Sequence, residues 1–154
     1  IGNTILHELG HNFNLRHGGD AHLPNYKPNY NSVMNYAYQF CGVDVEGDAI
    51  PDGVLDFSHG AYINLDENAL IETWGVNGEV PIDWNDDGRI DDGRNPVSRN
   101  INCRLRNECD SPSRRHAACG QSRGGACDDD RCLVLQDVNE VERIFLIVNA
   151  QGEY

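Results

Sequence analysis

Apolar residues recur at helical spacing near both ends of the chain. In 3–13 they are Ile5, Leu6, Leu9 and Phe13, and in 138–148 they are Val138, Val141, Ile144, Phe145 and Val148. Because this spacing puts each set on one helix face, we predict helices over 3–13 and 136–148. Asp137 or Gln136 would cap the second helix, and Glu140 would complete the capping signal.

Capping signals, rather than periodicity, predict a further helix over 65–74. Asn64 and Glu67 have the spacing of a capping box, and Gly75 would end the helix. Most of the chain outside these three segments is rich in Gly, Asn, Pro and Asp, which is typical of loops. The sequence therefore predicts a loop-rich domain with few regular elements.

The charge of the chain excludes two classes of partner. Among 154 residues, 12 are Lys or Arg and 25 are Asp or Glu, so the formal net charge is −13. Binding to nucleic acid by phosphate neutralisation needs clustered basic residues, and the same holds for an anionic membrane surface. No apolar run approaches the roughly 20 residues of a membrane helix. Residues 44–92 hold 14 acidic residues and one Arg, so the entire excess lies there.

Six cysteines indicate an oxidising compartment. They are Cys41, Cys103, Cys109, Cys119, Cys127 and Cys132. None forms a Cys-x-x-Cys pair, which argues against a zinc ribbon or a thioredoxin-type redox pair. We therefore predict disulfides and a secreted protein, with the connectivity left open among 15 pairings. The basic residues among these cysteines alternate with acidic ones, as in a salt-bridged, disulfide-pinned lobe.

The strongest chemical signal is a pair of histidines four residues apart, His7 and His11. On a helix they lie about 40° apart around the axis and about 6 Å apart along it, so both imidazoles can bind one cation. Glu8, beside the first ligand, would reach a water activated by the metal rather than the metal itself. Zinc is the expected metal, since three imidazoles and a water make an open tetrahedral site.

The third candidate ligand is His17. A continuous helix would rotate it by about 240° from His11 and turn it away from the metal. The sequence supplies a break at Asn12-Phe13-Asn14, because asparagine tolerates the left-handed conformation that ends helices. Gly18 and Gly19 would then let the backbone turn beside the site.

These residues form an extended motif that resembles the zinc motif of the metzincin metallopeptidases. The motif reads His7, Glu8, His11, Asn14 and His17. The family usually has Gly where this chain has Asn14, a change that keeps a residue able to adopt the left-handed conformation. Ser32-Val33-Met34-Asn35-Tyr36 resembles the family's Met-turn. The resemblance implies that Met34 forms an apolar floor under the metal and that Tyr36 approaches the metal and the transition state.

The resemblance also implies an α+β fold, that of a metzincin-like zincin. Residues 1–154 would form one partial catalytic domain, a C-terminal subdomain without the upstream sheet subdomain. Its segments would be 1–43 with the zinc helix and Met-turn, 44–100 with acidic loops, 101–135 as the Cys-rich lobe and 136–148 as the C-terminal helix. We expect an upstream subdomain or pro-segment in the same precursor.

The predicted function is that of a secreted zinc-dependent metalloendopeptidase, with peptides or proteins as substrates. Glu8 would act as the general base, and the metal, with Tyr36, would stabilise the oxyanion. Two alternatives stay open. One is a calcium-stabilised extracellular binding module with a vestigial zinc site, and the other is a zinc hydrolase that acts on something other than peptides.

An acidic loop offers a second metal hypothesis. Its oxygen-bearing positions have the spacing of the first part of an EF-hand-type or dockerin-type calcium loop, with Gly88 at the sixth position. The candidate ligands are Asp83, Asn85, Asp87, Arg89 (through its carbonyl) and Asp91. Arg94 stands where such loops have a bidentate Glu, so a solvated acidic turn is the alternative. Asp44, Glu46, Asp48 and Asp52 form a less regular candidate.

Overall fold

Two helices and one short sheet are the regular elements of residues 1–21, 24–102 and 132–151, which the computed structural model describes. Helix α1 spans Gly2–Asn12, and helix α2 spans Glu140–Gln151. Strands β1 (Leu65–Asp66) and β2 (Val134–Leu135) pair antiparallel. The predicted Cys-rich lobe lies mostly outside these ranges, with Cys103, Cys109, Cys119 and Cys127. Neither cysteine in the described ranges, Cys41 or Cys132, is a free thiol.

Both terminal helices form close to their predicted positions. Helix α1 begins and ends one residue earlier than predicted. Helix α2 begins at Glu140 instead of 136, because Asn139 is its actual cap: the Asn139 Oδ1 accepts the Glu142 amide at 2.9 Å. The predicted cap, Asp137, accepts hydrogen bonds from Ser58 Oγ and from the Tyr62 amide instead. The predicted capping residues are therefore wrong, although the helix is present.

The helix predicted over 65–74 is wrong. Leu65–Asp66 is a strand paired with β2, and Leu70 forms an isolated bridge with Val97. The Glu67 side chain, predicted to close a capping box, is fully buried. It accepts the amide of Ile101 at 2.7 Å and that of Leu133 at 2.8 Å. Hydrogen bonds to distant backbone thus replace the local ones that a helix would have made.

The core has two parts that position the site. The larger cluster lies around β1 and β2 and contains Leu65, Leu70, Val76, Ile82, Trp84, Ile101 and Leu135. Two smaller clusters lie around the Met-turn (32–36), one with Val33 and Tyr38 and one with Tyr30 and Met34. Phe57 packs against both of these and joins them. The Met-turn is therefore enclosed by apolar side chains on more than one side.

Buried carboxylates organise the loops of this fold. A chain with such short strands must satisfy its buried backbone amides in another way. The buried acidic residues Asp44, Glu67, Glu72 and Glu140 all accept hydrogen bonds from backbone amides. Glu72, for example, accepts the Trp84 amide at 2.8 Å and the Asp91 amide at 2.8 Å. Part of the acidic excess is therefore structural and lies inside the protein.

Neither described helix has both the length and the apolar composition that a membrane crossing requires. This agrees with the expectation from the sequence that no membrane span occurs, for the part of the chain that the structure describes.

Candidate metal centre

The three predicted histidine ligands come together in the structure. One ligand atom from each of His7, His11 and His17 lies within 4.8 Å of the other two, and within the described ranges this is the only such group of His, Cys, Asp or Glu. The Nε2 atoms of His11 and His17 are 3.1 Å apart. His7 is buried, whereas the other two are half-buried and so remain accessible. The site is thus formed by one helix and the turn that follows it.

A specific helix ending brings His17 back toward the helix. Asn14 has a φ of +59°, the left-handed conformation that its sequence position predicted. The Leu15 amide donates to the Gly10 carbonyl at 3.1 Å, and the Asn14 amide donates to the His11 carbonyl at 2.9 Å. This pair of bonds is the Schellman motif. It reverses the chain within one turn, so that His17 faces the metal side of α1.

Main-chain carbonyls set the orientation of the first two imidazoles. The His7 Nδ1 donates to the Val33 carbonyl and the His11 Nδ1 donates to the Leu15 carbonyl, both at 2.9 Å. Because a carbonyl oxygen only accepts, each Nδ1 carries the proton and each Nε2 keeps its lone pair. Two zinc-bound nitrogens at 2.0–2.1 Å in a tetrahedron lie about 3.3 Å apart. The His11–His17 separation is close to this value, so this pair of nitrogens could bind one zinc ion.

Gly10 and Met34 form the contact between α1 and the Met-turn. Met34 is fully buried, and its role as an apolar floor under a metal stays a prediction. A Cβ atom at Gly10 would lie 2.3 Å from Met34 Sδ and 2.9 Å from Phe57 Cε1. Gly10 was not among the predicted site residues. The signal that could have found it is a glycine in mid-helix between two candidate ligands, where glycine is otherwise unfavourable.

Tyr36 lies against the histidines. Its ring centroid is 4.3 Å from that of His17 and 5.7 Å from that of His7. The ring centroid of Tyr26 is 5.9 Å from that of Tyr36, and Tyr26 has a strained φ of +54°. The Asn25 Oδ1 accepts the amides of both tyrosines, which fixes their backbones relative to each other. The structure therefore places the Tyr36 ring beside two of the three histidines, and its role toward a metal or a transition state stays a prediction.

Glu8 is exposed on α1, directly after the buried ligand His7. The group of converging ligand atoms consists of His7, His11 and His17 and does not include the Glu8 carboxylate. The role of Glu8 as a general base therefore stays a prediction.

Glu140 anchors the Met-turn from the C-terminal helix. Its carboxylate accepts hydrogen bonds from the hydroxyls of Tyr30 and Ser32 and from the Ser58 amide. The Ser32 Oγ in turn accepts the Met34 amide at 3.0 Å. Burial raises the pKa of Glu140 above its ordinary value, although these hydrogen bonds act in the opposite direction. Glu140 was predicted only as a helix-capping residue, and this prediction is wrong.

The acidic loop at 83–91 has local features of a calcium loop. The Asp83 carboxylate accepts the Gly88 amide at 2.8 Å, and the Asp87 carboxylate accepts the Arg89 amide at 2.9 Å. Asp86 and Gly88 have positive φ values of 58° and 82°. The loop's carboxylates do not converge into a group like that of the histidines. The calcium hypothesis for this loop therefore stays a prediction.

The second acidic candidate, around Asp44, has a structural explanation. The Asp44 carboxylate is buried and accepts the amides of Gly47 and Ala49 and the hydroxyl of Tyr62. Burial raises the pKa of Asp44. Its oxygens are thus engaged in closing the loop.

The chain matches no protein-family model, no curated protein and no solved structure.

Proposed function

We propose that the chain is part of a secreted zinc metalloendopeptidase and carries its metal ligands and general base. The observation that carries the proposal is the convergence of His7, His11 and His17, with Nδ1 of the first two fixed by main-chain carbonyls. Such carbonyl partners orient metal-binding imidazoles and increase their basicity. The metzincin-like α+β fold, the disulfides and an upstream sheet subdomain belong to the same proposal.

Each residue of the site has a chemical role in this proposal. When bound, zinc supplies Lewis acidity, which polarises a carbonyl and lowers the pKa of water to about 7. Glu8 accepts the proton of the attacking water and delivers it to the leaving amine. The hydroxyl of Tyr36, carried on a ring packed against His17, donates to the oxyanion. Met34 packs against α1 at Gly10, between His7 and His11, and so supports the helix that carries these two ligands.

Metal content and peptide cleavage together test the proposal. We expect one zinc per chain, cleavage of a quenched-fluorescence peptide library by the zinc-loaded chain, and loss of cleavage with a chelator. Glu8→Gln should keep its zinc and lose cleavage, because the amide cannot take a proton. Glu79→Gln, the same change at another exposed glutamate, is the matched control.

Three outcomes would contradict specific parts of the proposal. Absence of stoichiometric zinc would contradict the metal centre. Wild-type cleavage by Glu8→Gln would contradict the role of the general base. Zinc binding without chelator-sensitive cleavage would contradict the peptidase activity of this chain and favour a binding module or a hydrolase for another substrate.

A further inference from the structure

Lys27 is the only lysine of the protein, and its side chain is 3% exposed. A fully buried lysine is rare, because an ammonium group loses its hydration inside a protein. Its Nζ donates to the Gly18 carbonyl at 2.8 Å and to the Gln136 carbonyl, and it lies 4.8 Å from the centre of the Tyr30 ring. The side chain is thus held by specific contacts rather than simply covered.

These contacts join three segments that are distant in the sequence. Gly18 directly follows the ligand His17, and Gln136 lies between β2 and α2. The main-chain oxygen of Lys27 also accepts the Asn35 side-chain amide at 2.6 Å, inside the Met-turn. One residue therefore links the turn that carries the third ligand, the Met-turn and the C-terminal segment.

The third ligand is the one that needs such support. His7 and His11 lie on α1, whose backbone hydrogen bonds fix them, whereas His17 lies on the turn after the helix. That turn packs against the C-terminal segment a second time, since a Cβ atom at Gly19 would lie 2.6 Å from Val138 Cγ2. The turn that carries His17 therefore contacts the C-terminal segment at two points, Gly18 through Lys27 and Gly19 directly.

Opposing effects act on the charge of Lys27. Burial is the larger effect and lowers its pKa to about 8. Three carboxylates, those of Asp137, Asp20 and Glu140, act in the opposite direction and favour the ammonium form. In either protonation state the amine keeps protons to donate to the two carbonyls.

We propose that Lys27 is a positioning residue for His17, which holds the Gly18 carbonyl against Gln136 and thereby fixes the third ligand relative to His7 and His11. The proposal rests on the proposed metal centre. An apolar side chain at this position would leave the Gly18 carbonyl buried without its donor, and the turn would lose its link to the C-terminal segment.

Zinc affinity, measured by competition with a chromophoric chelator, tests this role without an activity assay. Lys27→Met removes the donors at similar size and should raise the zinc Kd by about 10- to 100-fold, the usual effect of losing support for a ligand. Tyr62→Phe removes a half-buried hydroxyl that contacts Asp44 and is the matched control. It should lower the melting temperature and leave the zinc Kd unchanged.

A double-mutant cycle distinguishes positioning from general support. In a His17→Ala background, two ligands remain and the zinc Kd is weaker. If Lys27 acts through His17, adding Lys27→Met there should change the Kd no further. An equal loss in both backgrounds, or an unchanged Kd in folded Lys27→Met, would overturn the proposal. If Lys27→Met does not fold, Lys27→Gln replaces it, since glutamine is polar but shorter than lysine. The expected changes in zinc Kd are the same. Failure of the metal centre itself would show separately, as absent zinc binding by the wild-type chain.

Discussion

Gly10 of α1 lies against Met34 so closely that a Cβ atom at Gly10 would come within 2.3 Å of the Met34 Sδ. Helix α1 and the Met-turn (32–36) therefore meet through a glycine, and this contact sets how near the turn comes to His7 and His11. Met34 is fully buried beside Leu15 and Tyr30, so its side chain has little room to move aside.

Gly10→Ala should destabilise the protein by about 1–3 kcal/mol, because the added methyl group overpacks a buried contact. Urea denaturation of the metal-free chain measures this change. Gly2→Ala on the same helix is the control, since its Cβ would meet only Leu55 Cδ1 at an ordinary 3.5 Å. Equal stability of Gly10→Ala and Gly2→Ala would show that the Met-turn does not need this close approach.

Asn14→Ala should lower the unfolding free energy by about 1–2 kcal/mol, because alanine is strained at a left-handed position. Asn14→Gly should cause no such loss, as glycine adopts a φ of +59° freely. Asn12→Ala, inside the last turn of α1, is the control and should not destabilise the helix. A loss in Asn14→Gly as large as in Asn14→Ala would mean that the side chain, and not the backbone, matters at this position.

The ammonium group of Lys27 should titrate with a pKa of about 8. Because the chain has one lysine, a lysine label with ¹³C at Cε gives a single resonance to follow by NMR against pH. The chain unfolded in urea provides the reference, and its lysine should titrate near the ordinary pKa of 10.5. Between these values the unfolded chain binds more protons, so Lys27 should add stability as the pH rises from 8 to 10.5. A folded-state midpoint at the reference value would contradict the effect of burial.

Glu140 and Asp137 should favour the folded state of the metal-free protein increasingly as the pH falls toward the ordinary pKa values of their carboxyl groups. Burial raises the pKa of Glu140 and of Asp137, so the folded chain binds protons that the unfolded chain releases. The unfolding free energy of the chain then has a negative slope against pH. The contribution of Glu140 to this free energy is complete below 4.5, the ordinary pKa of glutamate. Glu140→Gln should flatten the slope measured by urea denaturation, with the exposed Glu142→Gln as control. A slope identical in wild type and Glu140→Gln would refute this assignment.

Calcium should raise the melting temperature of the zinc-loaded protein at low ionic strength if the loop at 83–91 binds it. A free calcium concentration of 100 times the Kd would raise the unfolding free energy by about 2.7 kcal/mol. Asp87→Asn changes a predicted ligand and should reduce the shift. Asp86→Asn makes the same charge change at an exposed neighbour outside the ligand pattern. It should leave the calcium-induced shift in melting temperature unchanged. An unchanged melting temperature in the wild type would leave the loop as a solvated acidic turn.

The sequence by itself predicted that His7, His11 and His17 converge, and the structure brings the three together. The two histidines of α1, the left-handed Asn14 and the return of His17 all follow from local rules, because helix geometry and backbone sterics act over a few residues. Helix α1 was predicted to within one residue for the same reason.

Only the tertiary structure decided what surrounds that centre. Glu67 had the spacing of a capping box but accepts amides 34 and 66 residues away, so the predicted helix does not form. Glu140 likewise supports the Met-turn rather than a helix end. Lys27 donates to a carbonyl 109 residues away. A buried polar group must find a partner, and which partner it meets depends on how distant segments pack rather than on its neighbours in the chain.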